Sequence, residues 1–320
     1  QIDRPTTTPR AVVVLIHGSG SHSRHEELAE VTRNQAPNPF FDHLSRSLVQ
    51  QSWAVLRYDK RSYALRKQDP KGAAALQQLL DDPAEALIGD ALSALQVARQ
   101  AFPGLPVFFL GHSEGTWVGL QAAKRDGQVD GVALVSYSGS SLDTLLVEQF
   151  VHRPSSLFRQ LDKNGDDVLD ATELAQDQPL AHSLQKQMPV LDLNQNGSLE
   201  LNEFQGGNLS NLYLNPLPIG AWRKTEAALP QVSEIVEKAD FRLAFFQGEW
   251  DNQTPAYYVK ALEMCERTKW KKGNKLFAYY PQCGHALDPR HSWLDVVYQI
   301  PAEKTLEDLA QKMTRFFLQP

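Results

Sequence analysis

The sequence predicts an α/β fold, a mainly parallel sheet flanked by helices, and three observations predict it. Short runs of apolar, β-branched and aromatic residues recur along the chain, segments with helical apolar spacing separate them, and turns bearing Gly, Ser, Asp and His follow the runs at their carboxyl ends. Strands that alternate with helices imply right-handed βαβ crossovers, and such a sheet binds its ligand beyond the carboxyl ends of its strands. The 320 residues are 42% hydrophobic and 22% charged, enough for a full core and unlike a disordered or fibrous chain. A net charge of −6 leaves no basic footprint for nucleic acid or an anionic membrane. No apolar run approaches the ~20 residues of a membrane span, so a soluble chain is expected.

Ala11-Val12-Val13-Val14-Leu15-Ile16 is continuously apolar, as a strand buried on both faces must be, and ends at His17-Gly18-Ser19-Gly20. The chain opens directly on it, so no edge strand or accessory domain is expected before it. Ser21 to Pro39 is polar and proline-ended and reads as a rim loop of the site. His22 and His25 invite a metal there, with Glu26 and Glu27 the nearest carboxylates, but no cysteine accompanies them and a solvated loop is the expectation. Phe40, Leu44, Leu48 and Val49 have helical spacing; Trp53 to Tyr58 is the next strand, ended by Asp59; residues 60–84 form a charged connection. Leu87, Ala91, Leu95 and Ala98 place a helix over 86–101 on one face of the sheet. Val107–Leu110, Gly131–Ser136, Arg242–Gln247 and Lys275–Tyr280 read as further strands, and Leu306, Leu309, Met313 and Phe316 mark a closing helix.

Val107–Leu110 runs into Gly111-His112-Ser113-Glu114-Gly115 and then the helical Thr116 to Ala123. Strand, sharp turn and helix in that order form a nucleophile elbow. The turn strains its central residue, small neighbours let strand and helix pass closely, and the Glu114 amide at the helix start faces any oxyanion formed at Ser113. The turns His17 to Gly20, Leu56-Arg57-Tyr58-Asp59-Lys60-Arg61 and Gly111 to Gly115 together resemble the α/β-hydrolase branch of serine esterases that carries HGSG, LRYDKR and GHSEG. The resemblance runs to about residue 138 and again from about 240. It implies an α/β-hydrolase fold, an ester hydrolase, and a second oxyanion donor at the Ser19 amide. His17 is expected to be a structural hydrogen-bonding residue. Related esterases often carry an acid and an arginine soon after HGSG; here Arg24 is the residue that remains.

That fold orders its catalytic residues Ser, Asp or Glu, then His. Ser113, Asp251 and His285 obey the order, each at the carboxyl end of a strand. A serine hydroxyl is barely ionised at neutral pH, so Ser113 needs a base, His285, whose tautomer Asp251 would hold. Glu249, Asp288 and Asp59 are the alternative acids; the Gly-x-x-Asp-x-x-Thr-Pro turn favours Asp251.

About one hundred residues separate the strands near Ser136 and Phe241, so residues 139–235 are expected to form a helical cap inserted into a core of 1–138 and 236–320. Two stretches within it, 162–173 and 192–203, resemble EF-hand calcium loops. Such a loop needs oxygens at positions one, three, five, seven, nine and twelve, the seventh from the backbone. Asp162, Asn164, Asp166, Val168, Asp170 and Glu173 fill them in the first, and Asp192, Asn194, Asn196, Ser198, Glu200 and Glu203 in the second. The eighth residues, Leu169 and Leu199, suit a short strand pairing one loop with the other. Gly197 fills the sixth position of the second loop and Asp167 that of the first. Two Ca²⁺ ions are therefore expected, structural rather than catalytic. Beyond them Leu212 to Pro218 and Trp222 would roof the acyl pocket or form the cap's own core, while Trp117 would pack on the sheet.

Of the two cysteines, Cys265 falls on the helix after Asp251 and Cys283 just before His285; a bridge between them and two unpaired thiols both fit. Gln1 is either a cut end or a processed one. With calcium and a possible bridge it leans towards a periplasmic or secreted setting, the cytoplasm being the alternative. The sequence thus predicts a serine hydrolase acting on small ester substrates, with a peptidase or thioesterase as the neighbouring reading. A calcium-dependent binding protein on a non-catalytic hydrolase scaffold is the reading from another class.

Overall fold

The computed structural model describes residues 1–28, 38–68, 83–139, 141–214, 219–293, 295 and 298–319. The middle of the rim loop (29–37), most of the charged connection (69–82) and residues 215–218 of the aromatic segment lie outside them. The described chain divides into two units, residues 1–141 with 218–320, and residues 142–217.

The first unit holds a seven-stranded sheet built from β1 (Ile2–Asp3), β2 (Ala11–Ile16), β3 (Trp53–Leu56), β4 (Val107–His112), β5 (Gly131–Val135), β8 (Arg242–Gly248) and β9 (Lys275–Tyr280). Its order is β1-β3-β2-β4-β5-β8-β9, and every pairing is parallel except β1 with β3. The expectation of no strand before Ala11 is thereby corrected: Ile2 pairs with Leu56, in a strand too short and too polar to show a pattern. Because neighbouring side chains of a strand point to opposite faces, β2 divides its apolar run between two cores. Val12, Val14 and Ile16 pack with α3 (Pro83–Ala101), α4 (Glu114–Asp126) and α11 (Val232–Lys238), while Ala11, Val13 and Leu15 pack with α1 (Phe40–Gln50) and α13 (Glu303–Leu318). Each large side chain so buried contributes ~2 kcal/mol. Helices α2 (Arg61–Gln68), α10 (Ile219–Ala228) and α12 (Tyr257–Cys265), the last continued by a π-helical turn over Glu266–Trp270, also belong to this unit.

Trp117 is buried and its ring lies 5.1 Å from that of Trp222, so the last stretch of the expected insertion belongs to the first unit. Gln121 also donates to the Pro230 carbonyl, at 2.8 Å. The insertion is accordingly 142–217 rather than 139–235, because residues 219–238 bury their apolar faces against α3 and α4.

The inserted unit contains α5 (Leu142–Val147), α6 (Arg153–Leu161), α7 (Ala171–Leu174), α8 (Pro179–Leu191) and α9 (Leu201–Leu214). It has its own core, in which Phe158, Leu161, Leu169, Leu174, Leu184, Leu199 and Phe204 are buried together. Strands β6 (Val168–Leu169) and β7 (Leu199–Glu200) pair antiparallel, Leu169 opposite Leu199, as the eighth-position leucines predict.

Cys265 and Cys283 are both free thiols, which rules for the unpaired alternative. Cys283 is buried, and burial first, then the nearby Asp288 carboxylate, pushes its thiol up to about 11.

The strand-to-helix elbow has no space for a side-chain carbon at either Gly111 or Gly115. A Cβ at Gly115 would lie 2.2 Å from the Ile16 carbonyl oxygen, and one at Gly111 would lie 2.1 Å from the Gly115 oxygen. Gly115→Ala is expected to lower unfolding free energy by ~3 kcal/mol or to prevent folding, measured by urea denaturation, while Gly89→Ala, at a position with open space, changes it little.

Candidate active site

Ser113 sits between β4 and α4 with φ 53° and ψ −120°, a left-handed backbone that a β-substituted residue adopts only when its surroundings impose it. They do so through backbone bonds: its amide donates to the Val135 carbonyl at 3.0 Å, and its carbonyl accepts from the Thr116 amide at 2.9 Å and the Thr116 hydroxyl at 2.6 Å. Glu114 opens α4, so its amide is one of the helix's unpaired first-turn donors.

Asp251 lies in the turn after β8 and is fully buried. Its carboxylate accepts from the Gln253 and Thr254 amides at 2.9 Å each, the Thr254 hydroxyl at 2.7 Å and the Gln247 amide group at 3.1 Å. The remaining partner is the His285 ring, whose Nδ1 lies 2.9 and 3.1 Å from the two carboxylate oxygens. Burial alone would raise the Asp251 pKa; the His285 charge and hydrogen bond, with the two Thr254 donors, outweigh it and hold the group well below the usual carboxylate range. Ser113 and His285 line one cavity of about 130 Å³ with Gly18, Ser19, His112, Gln253 and Tyr298.

The competing acids are engaged elsewhere. Asp59 is held by Arg24, Asp288 by Arg290, and Glu249 pairs with Lys260. The histidines of the rim loop are engaged with the turn and its surroundings: His22 donates to the Ser19 carbonyl at 2.6 Å, and His25 faces Asp42 at 2.7 Å. His17 is a structural residue, donating to the Ser23 carbonyl at 3.0 Å.

Sequence reasoning missed a buried carboxylate–histidine pair beside the cavity. Glu26 has no exposed surface; its Oε1 accepts the Gly18 amide at 2.6 Å and lies 3.1 Å from His112 Nδ1. His112 Nε2 is 3.1 Å from the His285 carbonyl, so both ring nitrogens face acceptors and the ring must donate at each, as an imidazolium. Burial would push the Glu26 carboxyl up, yet the His112 charge and hydrogen bond bring it down to about 2; the same pair, against burial, holds His112 above its usual range. Lys60 is the other missed residue, its Nζ 2.6 Å from both the Gly18 carbonyl and the Glu114 carboxylate. Glu26 is thus an acid close after HGSG, where Arg24 alone is expected from the sequence, and Arg24 pairs with Asp59 of the LRYDKR stretch. A charged residue in a polar loop gives no sign of its burial, so only the spacing from HGSG could have marked Glu26.

In the inserted unit each twelve-residue loop folds around its own oxygens. Asp162 accepts the Gly165 and Asp167 amides at 2.7 and 2.9 Å, and Asp192 the Asn196 and Gly197 amides at 3.1 and 2.9 Å. Asn164 and Asn194 accept from Asp166 and Asn196, and Asp166 and Asn196 from Val168 and Ser198. Glu173 and Glu203 turn back over the loop starts, onto the amides of Lys163 and Leu193 at 2.6 and 2.9 Å. Asp170 caps α7, and Glu200 accepts from Asn194. The sixth positions are left-handed in both loops, φ 60° at Asp167 and 81° at Gly197. Among the described residues no group of three or more His, Cys, Asp and Glu side chains is gathered as a metal cluster.

Residues 13–299 match the model of the alpha/beta hydrolase family. Over 135 residues the chain is 30% identical to the monoglyceride lipase of Homo sapiens, covering 42% of this chain and 37% of that protein. Over 147 residues it is 27% identical to Esterase EstD of Thermotoga maritima, 46% of this chain and 32% of that protein. The matched stretch thus spans about a third of the length of these curated relatives. Among solved structures, TT1662 of Thermus thermophilus has a TM-score of 0.51 at 12% identity, covering 100% of this chain and 93% of that one, a likeness of fold alone.

The Glu26–His112 pair makes stability depend on pH at both ends. For Glu26, depressed in the folded state from 4.5 to about 2, the contribution is full above 4.5 and lost as pH falls towards 2. For His112, raised above 6.5, it is full below that value and lost as pH climbs through the raised one. Glu26→Gln is expected to flatten both limbs of a stability–pH curve from chemical denaturation, and to cost ~3 kcal/mol at pH 6 by leaving the buried imidazolium unpaired.

Proposed function

The chain belongs to the alpha/beta hydrolase family, and from that premise we propose that it hydrolyses carboxylic esters through an acyl-enzyme, with Ser113, His285 and Asp251 as its catalytic residues. The observation that carries the reading is the meeting in one cavity of a strained serine at a helix N-terminus and a histidine whose Nδ1 is committed to a buried carboxylate. With the proton on Nδ1, the lone pair stays on Nε2, the nitrogen that can act as base.

Ser113 Oγ attacks the ester carbonyl carbon while its proton passes to His285 Nε2. Charge builds on the carbonyl oxygen, stabilised by the amides of Ser19 and Glu114 and by the positive end of the α4 dipole. The tetrahedral intermediate collapses, breaking the bond to the alcohol, which leaves with the proton from His285. Water then enters with His285 as its base, attacks the acyl carbon, and releases the acid and Ser113. Asp251 stays ionised throughout, orienting the ring and stabilising it when it carries two protons.

The names of the relatives, a monoglyceride lipase and an esterase, support an ester of modest size as substrate. Calcium is the second part of the proposal. The all-oxygen donor sets, the left-handed sixth positions and the paired eighth residues suit two Ca²⁺ ions, one held by Asp162, Asn164, Asp166, Val168, Asp170 and Glu173, the other by Asp192, Asn194, Asn196, Ser198, Glu200 and Glu203. Bound there, calcium supplies charge neutralisation for clustered carboxylates and takes no part in the chemistry.

Ser113→Ala and His285→Ala are each expected to lower kcat on p-nitrophenyl butyrate by ~10³-fold or more, and Asp251→Asn by a comparable factor. More than a few per cent of wild-type turnover in a purified Ser113→Ala protein refutes the nucleophile. Calcium at ~100 times its Kd is expected to add ~2.7 kcal/mol per site to the inserted unit. Calorimetry with calcium and with chelator checks it, and identical unfolding in the two refutes the sites.

A further inference from the structure

We infer that Lys60 is a positioning residue for the oxyanion hole, setting the direction of the Ser19 amide and tying it to Glu114, the residue that carries the other donor. The inference rests on the ester-hydrolase reading above and concerns how that site is held.

The backbone of the turn after β2 has four polar groups at Gly18 and Ser19, and three are occupied. Glu26 Oε1 takes the Gly18 amide at 2.6 Å, Lys60 Nζ donates to the Gly18 carbonyl at 2.6 Å, and His22 Nε2 donates to the Ser19 carbonyl at 2.6 Å. The fourth, the Ser19 amide, has no acceptor among the described residues. It belongs to the same peptide unit as the Gly18 carbonyl. A trans peptide is planar, with its C=O and N–H pointing in opposite directions, so a cation that fixes the carbonyl on one side fixes the N–H on the other. The turn also lies against the nucleophile, since a Cβ added to Gly18 would come within 3.2 Å of the Ser113 Cβ.

Lys60 reaches this peptide from a buried position, with 6% of its surface exposed. The same Nζ donates at 2.6 Å to Glu114 Oε1, the side chain of the residue that opens α4. One ammonium group therefore cross-links the two segments whose amides must converge on a single oxygen. It also polarises the Gly18–Ser19 peptide: positive charge on the carbonyl oxygen draws electrons from the nitrogen and strengthens the N–H as a donor. The backbone of Lys60 is itself anchored, its amide donating to the His22 carbonyl at 3.0 Å, so the rim loop, the turn and the elbow form one hydrogen-bonded frame.

A donor aimed at an oxyanion matters more when charge has developed than when substrate merely sits in the site. Lys60→Met keeps the apolar stem and removes both bonds. Measured on p-nitrophenyl butyrate and normalised to active sites titrated with a fluorophosphonate, it is expected to lower kcat by ~10- to 100-fold with KM within about twofold. The Ki of butylboronic acid, whose tetrahedral serine adduct places an oxygen in the hole, is expected to rise by a similar factor. A role confined to stability would lower the melting temperature and the titratable fraction while leaving normalised kcat and Ki unchanged, and that result overturns the inference. Glu114→Leu removes the acceptor that holds the Lys60 ammonium between the two segments, and decides the matter if Lys60→Met does not fold: a parallel loss in kcat and boronate affinity supports the assignment, and unchanged constants overturn it. An inactive wild-type chain, or full activity in Ser113→Ala, removes the ester-hydrolase reading itself. An active, Ser113-dependent enzyme with unchanged Lys60 constants removes only this inference.

Discussion

At Gly115 two backbones cross with no space for a side-chain carbon, and most of what is distinctive about the site follows from that crossing. The α4 backbone there lies against the carbonyls of Ile16 and His17, at the end of β2. Because β2 and β4 are parallel and adjacent, with Ile16 opposite Gly111, their two terminal turns emerge side by side. Ser113 and the Ser19 turn are thus brought together by strand register, before any side chain acts. The strain at Ser113 is the local expression of the same geometry. The chain must reverse from strand to helix within one residue, and the bonds to Val135 and Thr116 hold it there.

Around this crossing the protein buries more charge than hydrophobic bookkeeping alone would favour. Glu26, His112, Lys60, Asp251 and His285 are all nearly or fully out of solvent. Isolated buried charges are prohibitively costly; here Glu26 meets His112, Lys60 meets Glu114, and the Asp251 carboxylate accepts from Gln247, Gln253 and Thr254 besides the His285 ring. The two histidine–carboxylate pairs share a residue: Asp251 grips the His285 ring, while the His112 ring and the Ser136 hydroxyl, at 3.1 and 2.5 Å, grip its backbone carbonyl. His285 is fixed from both ends, at its ring and at its backbone carbonyl, which limits reorientation of the ring.

The sequence made the strands plain because a central parallel strand is apolar on both faces, and runs such as Ala11–Ile16 admit few other readings. The elbow was equally legible, since Gly111 and Gly115 are there for steric reasons that the sequence displays. The Asp251 turn could be read from Thr254, which proves to donate twice to the carboxylate. Glu26 and Lys60 could not be read in this way. Their importance lies in partners 86 and 42 residues distant, and a charged residue in a polar segment has the same local pattern whether it is solvated or buried. The end of the insertion was misplaced for a related reason. Trp222 is as apolar in an inserted core as against Trp117, and only the packing decides.

The closing helix has a bearing on how the molecule comes into being. Trp53 Nε1 donates to the Thr314 hydroxyl across 261 residues of sequence, and Arg242 donates to the carbonyls of Phe317 and Gln319 at 3.5 and 3.0 Å. The part of the sheet face that α13 covers, beside α1, therefore stays bare until residues 303–318 have left the ribosome. The inserted unit, whose core draws only on residues 158–204, has no such wait. A small module of local contacts is thus free to become compact early, while a large hydrophobic platform of high contact order is completed late, the stage at which aggregation competes with folding.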